Sequence, residues 1–594
     1  LILLCLPFMG FGQEYFWKNN TGNQDFFDEN NWIDTLTGLN APSFSIEPNQ
    51  DINLDLNLTC NSYADYPIRF GLGTIHISNG TLFAHRIDSG IVTISNLGYL
   101  VLTDSVPFIN NIQLNLLSRI ASVKLTSVSP INVQNNYLSF ISINQTPSNL
   151  VNNIRLDNYY DGGTVIRMCD SITNPLTIYT HDSLSGFSAD IIVNQILNGG
   201  LIPNNMNNNA NSFLLRQGYM ATFAVNEDGT GKSKVFIASE KDLVVNSLPD
   251  LTTNGVSFIR VVPWNWITKK GLGGDHEQYL MLINNPHSWW YYDWGSSDSS
   301  ELNTEYTPMS WGASGADDQT DIDRYKSIDK ATHLMGFNEP DNCNSQSGQW
   351  WNLCIPDTSV SYYTNLMKTG LRLVSPGCRE EAWDDWLDTF NILAIQQNTR
   401  VDVIAVHWYD WGGNPINTPN ANPQNIFNRF KNYLSNVYSL YNLPIWITEF
   451  NGNIHRTDSI NLEFMKLALP YLDSLSYIER YAWFSWNSTC QFIDSSGNLT
   501  SIGLYYAEHR SEPSIKNNIY GGRNNLTINN EGIEYDSECV TLNTNTIEVN
   551  QSDINKDILM ITDMLGRSVA IETKNQLLLY IYKDGTVAKK IIIE

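Results

Sequence analysis

Between residues 13 and 210 apolar and polar residues alternate in short runs: TIHIS at 74–78, GIVTIS at 90–95, GYLVLT at 98–103 and SVKLTSV at 122–128. A period of two, broken by Gly, Asn or Asp, is the pattern of β-strands that bury one face. Rows of similar short rungs predict an all-β domain, a β-solenoid or else a sandwich. Over 211–250 two apolar runs, GYMATFAV and KSKVFIAS, flank NEDGTG at 226–231, a turn rich in residues that tolerate positive φ. This stretch predicts a β-hairpin unit leading into the next domain.

From 251 to 514 the period changes. Apolar runs that predict buried strands stand at 257–264 (SFIRVVPW), 289–294 (WWYYDW), 305–311 (EYTPMSW), 333–338 (HLMGFN), 371–376 (LRLVSP), 403–410 (VIAVHWYD), 444–450 (PIWITEF) and 481–486 (YAWFSW). Between the later ones, apolar residues recur at helical spacing: Trp383, Trp386, Leu387, Phe390, Leu393 and Ala394, then Phe427, Phe430, Tyr433, Leu434 and Val437. Eight strands with helical crossovers in one domain predict a (β/α)8 TIM barrel. Residues 515–535 read as a polar linker and 536–594 as a small β-sandwich.

Composition narrows the partners. The formal charge is −26 and the pI about 4.6, which disfavours nucleic acid and anionic lipid surfaces. Eight cysteines, at 5, 60, 169, 343, 354, 378, 490 and 539, form no CxxC pair and no zinc spacing, so neither a metal nor a cofactor is expected. Cys343 and Cys354 bracket a polar loop and are placed to join in an oxidising compartment. Residues 1–12, LILLCLPFMGFG, have the apolar run and small residues of a secretory leader cut before Gln13. They are too few to cross a bilayer, and no other stretch is long and apolar enough, so no membrane span is expected.

The chemistry concentrates where predicted strands end. Trp264, Trp294, Trp311, Asn338, Glu339, His407, Tyr409, Glu449 and Trp486 all fall at such ends, and in a barrel those ends carry the active site. Two of them are carboxylates. Glycoside hydrolysis needs two carboxyl groups with different neighbours, one protonated to hand a proton to the leaving oxygen and one ionised to attack or to activate water. Indoles and phenols offer flat apolar faces against sugar rings. A polysaccharide is therefore the expected substrate, with Asn338, His407, Tyr409 and the four tryptophans as candidate binding residues.

A family resemblance rests on the same positions. NEP at 338–340 and TEF at 448–450 resemble the signature of retaining barrel glycosidases of clan A. The ordered set YYDW, TPMSWG, GFNEPD, LVSP, HWYDW, WITEF and AWFSW, over roughly 255–500, is similar to glycoside hydrolase family 128. The resemblance implies a β-1,3-glucanase, with Glu339 as acid/base and Glu449 as nucleophile, and an endo-acting enzyme on laminarin is the first expectation. A β-galactan or β-1,4-glycan cleaved by the same mechanism, and a surface carbohydrate-binding protein without activity, remain alternatives. The terminal DMLGRSV turn and KKIII run resemble the C-terminal sorting domain of the Bacteroidota type IX secretion system. That resemblance implies passage through the type IX machinery to a secreted or surface-attached state.

Overall fold

The computed structural model describes residues 14–520, apart from internal stretches of which 275–288 is the longest, and three strands between 558 and 591. By internal contacts the chain divides into Leu1–Cys539 and Val540–Glu594. In the second unit Ile558–Asp563, Leu577–Tyr582 and Val587–Ile591 form an antiparallel sheet. The leader-like residues 1–12 and residues 521–535 of the expected linker lie outside the described residues.

The first part of the chain is mostly β, with short helical turns at Glu29–Asn31 and from Pro130 to Phe140. Asp55–Leu58, Ile68–Ala84, Ile87–Leu102 and Ile112–Leu116 pair parallel, in chain order. Register puts Leu56, Ile75, Val92 and Leu114 in one buried row and Leu58, Ile77, Ile94 and Leu116 in a second. Neighbouring strands lie about 4.8 Å apart, so each aliphatic side chain closes over the next. The alternation seen in the sequence is thus the inward face of a stack, not isolated hairpins.

A second β region follows. Leu176–His181, Ser185–Ile191, Ser212–Leu215 and Leu243–Val245 form one antiparallel sheet. Tyr219–Ala224 and Ser233–Ala238 pair antiparallel across the NEDGTG turn and belong to a second sheet with Ile196–Asn198, Phe258–Pro263 and Ile519–Tyr520. Phe213, Phe223 and Phe236 pack together between the two sheets. Two expectations are corrected here. The run at 257–264 is not the first strand of the parallel domain; Phe258–Pro263 pairs antiparallel with Tyr219–Ala224. A strand buried on both faces reads as a continuous apolar run in either kind of sheet, and only its partner distinguishes them. The residues at 515–520 are not a free linker, because Ile515 is buried and Ile519–Tyr520 closes the edge of this sheet.

Eight short parallel strands come next: β1 (Lys270–Gly273), β2 (Trp289–Tyr292), β3 (Thr304–Tyr306), β4 (His333–Met335), β5 (Arg372–Val374), β6 (Ile404–Tyr409), β7 (Ile445–Asn451) and β8 (Ile478–Trp483). Each meets its sequence neighbour, β3 reaching β4 through Met309–Met335 and β5 reaching β6 through Val374–Val403, and β8 pairs back onto β1. Helices α1 (Gln319–Ser327), α2 (Pro356–Tyr363), α3 (Trp386–Gln396), α4 (Pro423–Tyr441), α5 (Asp458–Ser474) and α6 (Ser501–Glu508) alternate with the strands. Helix α4 buries Phe427, Phe430, Tyr433, Leu434 and Val437, the stripe its sequence predicts. Helix α3 buries Trp386, Leu387, Phe390 and Ala394, while Trp383 lies outside the described residues.

Among the strands, Trp290, Met309, Met335, Val374, Val403, Ala405 and Trp446 make one cluster. Arg480 lies over the Trp446 ring at 4.2 Å and pairs with Glu305 at 2.7 Å, and Arg372 grips Glu479 with two bonds of 2.6 and 2.8 Å. Every charge in this group meets an opposite one, as burial demands. These residues sit toward the amino ends of the strands, which leaves the carboxyl ends to hold a site.

Candidate active site

The chain beyond β4 is held between its neighbours. Asn338 N–H donates to Trp311 O at 2.9 Å and Glu339 N–H to Gly377 O at 2.8 Å. These bonds keep Glu339 in a left-handed conformation, φ 46°, that a non-glycine residue adopts at a cost on the order of 1–3 kcal/mol. Gly377 packs closely on this site, since a Cβ there would stand 3.0 Å from Nε2 of His407. The carboxylate of Glu339 is fixed in place by backbone strain and by its neighbours together.

Glu449 is placed by a break in strand register. Val406 pairs with Ile447, but His407 pairs with Glu449, so Thr448 is an extra residue on β7. Such a bulge re-aims side chains. Without it Glu449 would face Trp408, not His407. Because His407 and Tyr409 are two apart on β6, they share a face. Both consequently reach the carboxylates.

The resulting geometry is tight. Nδ1 of His407 lies 3.0 Å from Oε1 of Glu339 and 3.6 Å from Oε2 of Glu449. Tyr409 donates its hydroxyl to Oε2 of Glu449 at 2.5 Å, and Trp294 donates Nε1–H to Oε1 at 3.0 Å. Donor atoms of Glu339, His407 and Glu449 lie within 4.8 Å of one another. One oxygen of Glu339, Oε2, makes no hydrogen bond among the described residues. The two carboxyl groups therefore differ: Glu449 is clamped by two neutral donors, and Glu339 keeps a free oxygen.

Burial opposes a charge on His407, yet the two carboxylates outweigh it and raise its pKa to about 8. Burial and the charge of Glu449 push the Tyr409 hydroxyl well above its ordinary value, so it remains a donor. The same three side chains, Glu339, His407 and Glu449, are spaced to take a divalent cation, as are the acids Asp317, Asp318 and Asp321, where Asp318 caps α1.

The other candidates separate. Trp294, itself left-handed at φ 58°, meets Tyr292, Phe484 and Trp486 edge-on. Trp486 is half exposed, and Trp311 packs against the strand cluster beside Trp294. Asn338 is buried with Nδ2 donating to Gln346 at 3.3 Å and Oδ1 without a partner among the described residues. Trp264 is the exception. It follows the antiparallel strand Phe258–Pro263, is 1% exposed and packs with Trp266, Val262 and Ile515 away from the carboxylates. Its placement follows from the strand it ends, which is not one of the eight.

Some site residues had no sequence signal. The bulge at Thr448 is invisible in an apolar run. Asp410, beside His407 and Tyr409, is not open to sugar hydroxyls, because Arg429 holds it at 2.7 and 2.8 Å and Arg456 at 2.6 Å. Tyr292, whose hydroxyl donates to Thr448 O at 2.8 Å and so supports the bulge, lay in plain view in YYDW.

Residues 264–506 match the family model described as glycosyl hydrolase catalytic core. Over 262 residues the chain is 29% identical to alkali-sensitive linkage protein 1 of Schizosaccharomyces pombe, covering 41% of this chain and 43% of that one. The chain thus spans less than half the length of this curated relative. A subgroup I endo-β-1,3-glucanase of glycoside hydrolase family 128 from Amycolatopsis mediterranei, solved with laminaritriose, is 26% identical, with TM-score 0.34, covering 40% of this chain and 98% of its own. A subgroup III curdlan-specific exo-β-1,3-glucanase from Blastomyces gilchristii is 28% identical, with TM-score 0.32, covering 41% and 98%. A subgroup VII oligosaccharide-binding protein from Trichoderma gamsii is 21% identical, with TM-score 0.32, covering 40% and 92%.

Proposed function

We propose that residues 264–506 form a (β/α)8-barrel glycoside hydrolase that cleaves β-1,3-glucan with retention of configuration. The single observation that carries this reading is the approach of Glu339 and Glu449 to within 4.8 Å in unlike surroundings. Retaining enzymes hold their carboxyl groups about 5–5.5 Å apart, whereas inverting ones set them wider to admit a water. The cyclic pairing of β1 to β8 supports the barrel. The ordered motifs at the strand ends, similar to family 128, support the glucan.

In this reading Glu449 attacks the anomeric carbon while Glu339 protonates the departing glycosidic oxygen from its free Oε2. A glycosyl ester on Glu449 results, and the leaving sugar carries off the proton. Glu339 then takes a proton from water, whose oxygen attacks the anomeric carbon and frees Glu449. Tyr409 and Trp294 hold the nucleophile's two oxygens until the attack, which draws electron density from them. His407, placed between the two acids, supports the Glu449 carboxylate at rest and the Glu339 carboxylate once its proton has left with the sugar. Asn338, whose Nδ2 donates to Gln346, positions the segment that carries Glu339.

The disulfide between Cys343 and Cys354 suits an oxidising compartment and, with the leader-like residues 1–12 and the terminal sorting-domain resemblance, supports a secreted or surface-attached protein. The parallel stack at the start of the chain is read as a β-solenoid.

The test is incubation of the protein with laminarin, a β-1,4-glucan and a β-galactan, with the anomer of the first product followed by NMR. β-Anomer released from laminarin is the expected result. α-Anomer would overturn the mechanism; release from another glycan alone would overturn the substrate.

A further inference from the structure

The segment leaving Glu339 is built as a clasped loop. Cys343 and Cys354 are joined, so residues 343–354 form a closed loop two residues beyond Asp341. Its base is fixed to the site. Ser347 N–H donates to Asn338 O at 3.2 Å, and Gln346 accepts from Asn338 Nδ2. Trp386 Nε1–H donates to Cys354 O at 2.9 Å, and Leu353 is fully buried. A Cβ at Gly348 would run into the carbonyls of Pro340 and Asn342.

Its tip does the opposite. Trp350 and Trp351 are 55% and 56% exposed, and Ile355 beside them is 50% exposed. Gln346, Trp351 and Asn352 are left-handed at φ 49°, 58° and 57°, although none is glycine. Strained non-glycine backbone persists only where its surroundings over-determine it, and it clusters at ligand sites. Here covalent closure, a buried base and strained backbone combine to hold two adjacent indoles in water, where an unconstrained loop would fold them inward.

What covers such a surface is narrowed by charge and by position. A chain of net charge −26 does not recruit an anionic partner. The neutral, aliphatic faces of sugar rings match indole. The loop is also continuous with the Asn338–Glu339 segment, and in the proposed reaction Glu339 is the residue that touches the oxygen of the leaving sugar. We propose that the clasped loop is a rigid aromatic platform that carries the leaving-group side of a long β-glucan chain past the point of cleavage, so that Trp350 and Trp351 favour polymer over short oligosaccharides. This rests on the hydrolase reading above.

The experiment compares wild type with the double variant Trp350→Ala/Trp351→Ala and with Trp350→Phe/Trp351→Phe. Thermal melting is recorded for each. The ratio of kcat/KM on laminarin to kcat/KM on laminaritriose is expected to fall roughly tenfold in the alanine variant, the loss of one or two stacking contacts, and to recover in the phenylalanine variant. Retardation of the alanine variant in a laminarin-containing native gel should weaken in step. A ratio unchanged from wild type, or equal losses on both substrates, overturns the platform while leaving the hydrolase reading intact. A wild-type protein that cleaves no β-1,3-glucan overturns that reading and the leaving-group placement with it, whereas gel retardation unchanged in the alanine variant sinks the platform by itself.

Discussion

Nδ1 of His407 and Oε1 of Glu339 lie 3.0 Å apart, with the imidazole 1% exposed. The imidazole is thereby buried against two carboxyl groups whose chemistry depends on their charge. Its raised pKa makes a stability claim. The folded value is about 8 against the ordinary 6.5, so the contribution is fully present below pH 6.5 and is lost as pH rises through 8. A shift of that size is worth about 2 kcal/mol. Urea melts of wild type are expected to lose this amount between pH 6.5 and 9, and melts of His407→Gln are expected to lack the slope.

Glu449 and Glu339 are expected to give opposite azide signatures. With Glu449→Ala, azide should enter from the face the carboxylate vacates and yield the α-glycosyl azide. With Glu339→Ala, azide should attack the glycosyl ester and yield the β-glycosyl azide. Removal of the general acid should lower kcat roughly 10²–10⁴-fold on substrates with poor leaving groups. Swapped anomers would reverse the two roles.

Tyr409→Phe removes one of two donors to Glu449 and leaves the ring in place. Loss of a hydrogen bond to a charged group costs about 2 kcal/mol, or roughly 30-fold in kcat/KM, with melting temperature nearly unchanged. An equal loss in stability and no loss in rate would mean that the hydroxyl serves the fold alone.

Trp264 and Trp486 are expected to part company. Trp264→Ala empties a buried site and should destabilise by about 3–5 kcal/mol. Trp486, 54% exposed and edge-on to Trp294, should when changed to Ala raise KM with little effect on melting. Denaturation curves beside initial rates separate the two.

Asp410 and Arg456, 1% and 0% exposed, are paired at 2.6 Å. Asp410→Ala leaves the buried Arg456 guanidinium without a carboxylate partner among the described residues, and should cost about 3–5 kcal/mol. The double variant Asp410→Ala/Arg456→Met should recover part of that in the same melts.

The sequence alone determined which residues face inward and which strands end in chemistry. Period two marked the stacked rungs that bury Ile75 and Ile77, and period 3.6 marked the buried stripe of Phe427, Phe430 and Val437. Both are local consequences of backbone geometry, so a linear pattern records them. Apolar runs ending in Asn338–Glu339 and in Glu449 could likewise be read directly. Tertiary structure decided what those ends meet. Nothing local separates the run at 257–264 from the strands after it, yet its partner is an antiparallel hairpin, and Trp264 goes with it. Nothing local shows that Thr448 is an extra residue, or that Arg429 and Arg456 consume Asp410. Those outcomes depend on register and on charges brought from tens of residues away, and only closure of the eight strands brings Glu339 and Glu449, 110 positions apart, to one imidazole.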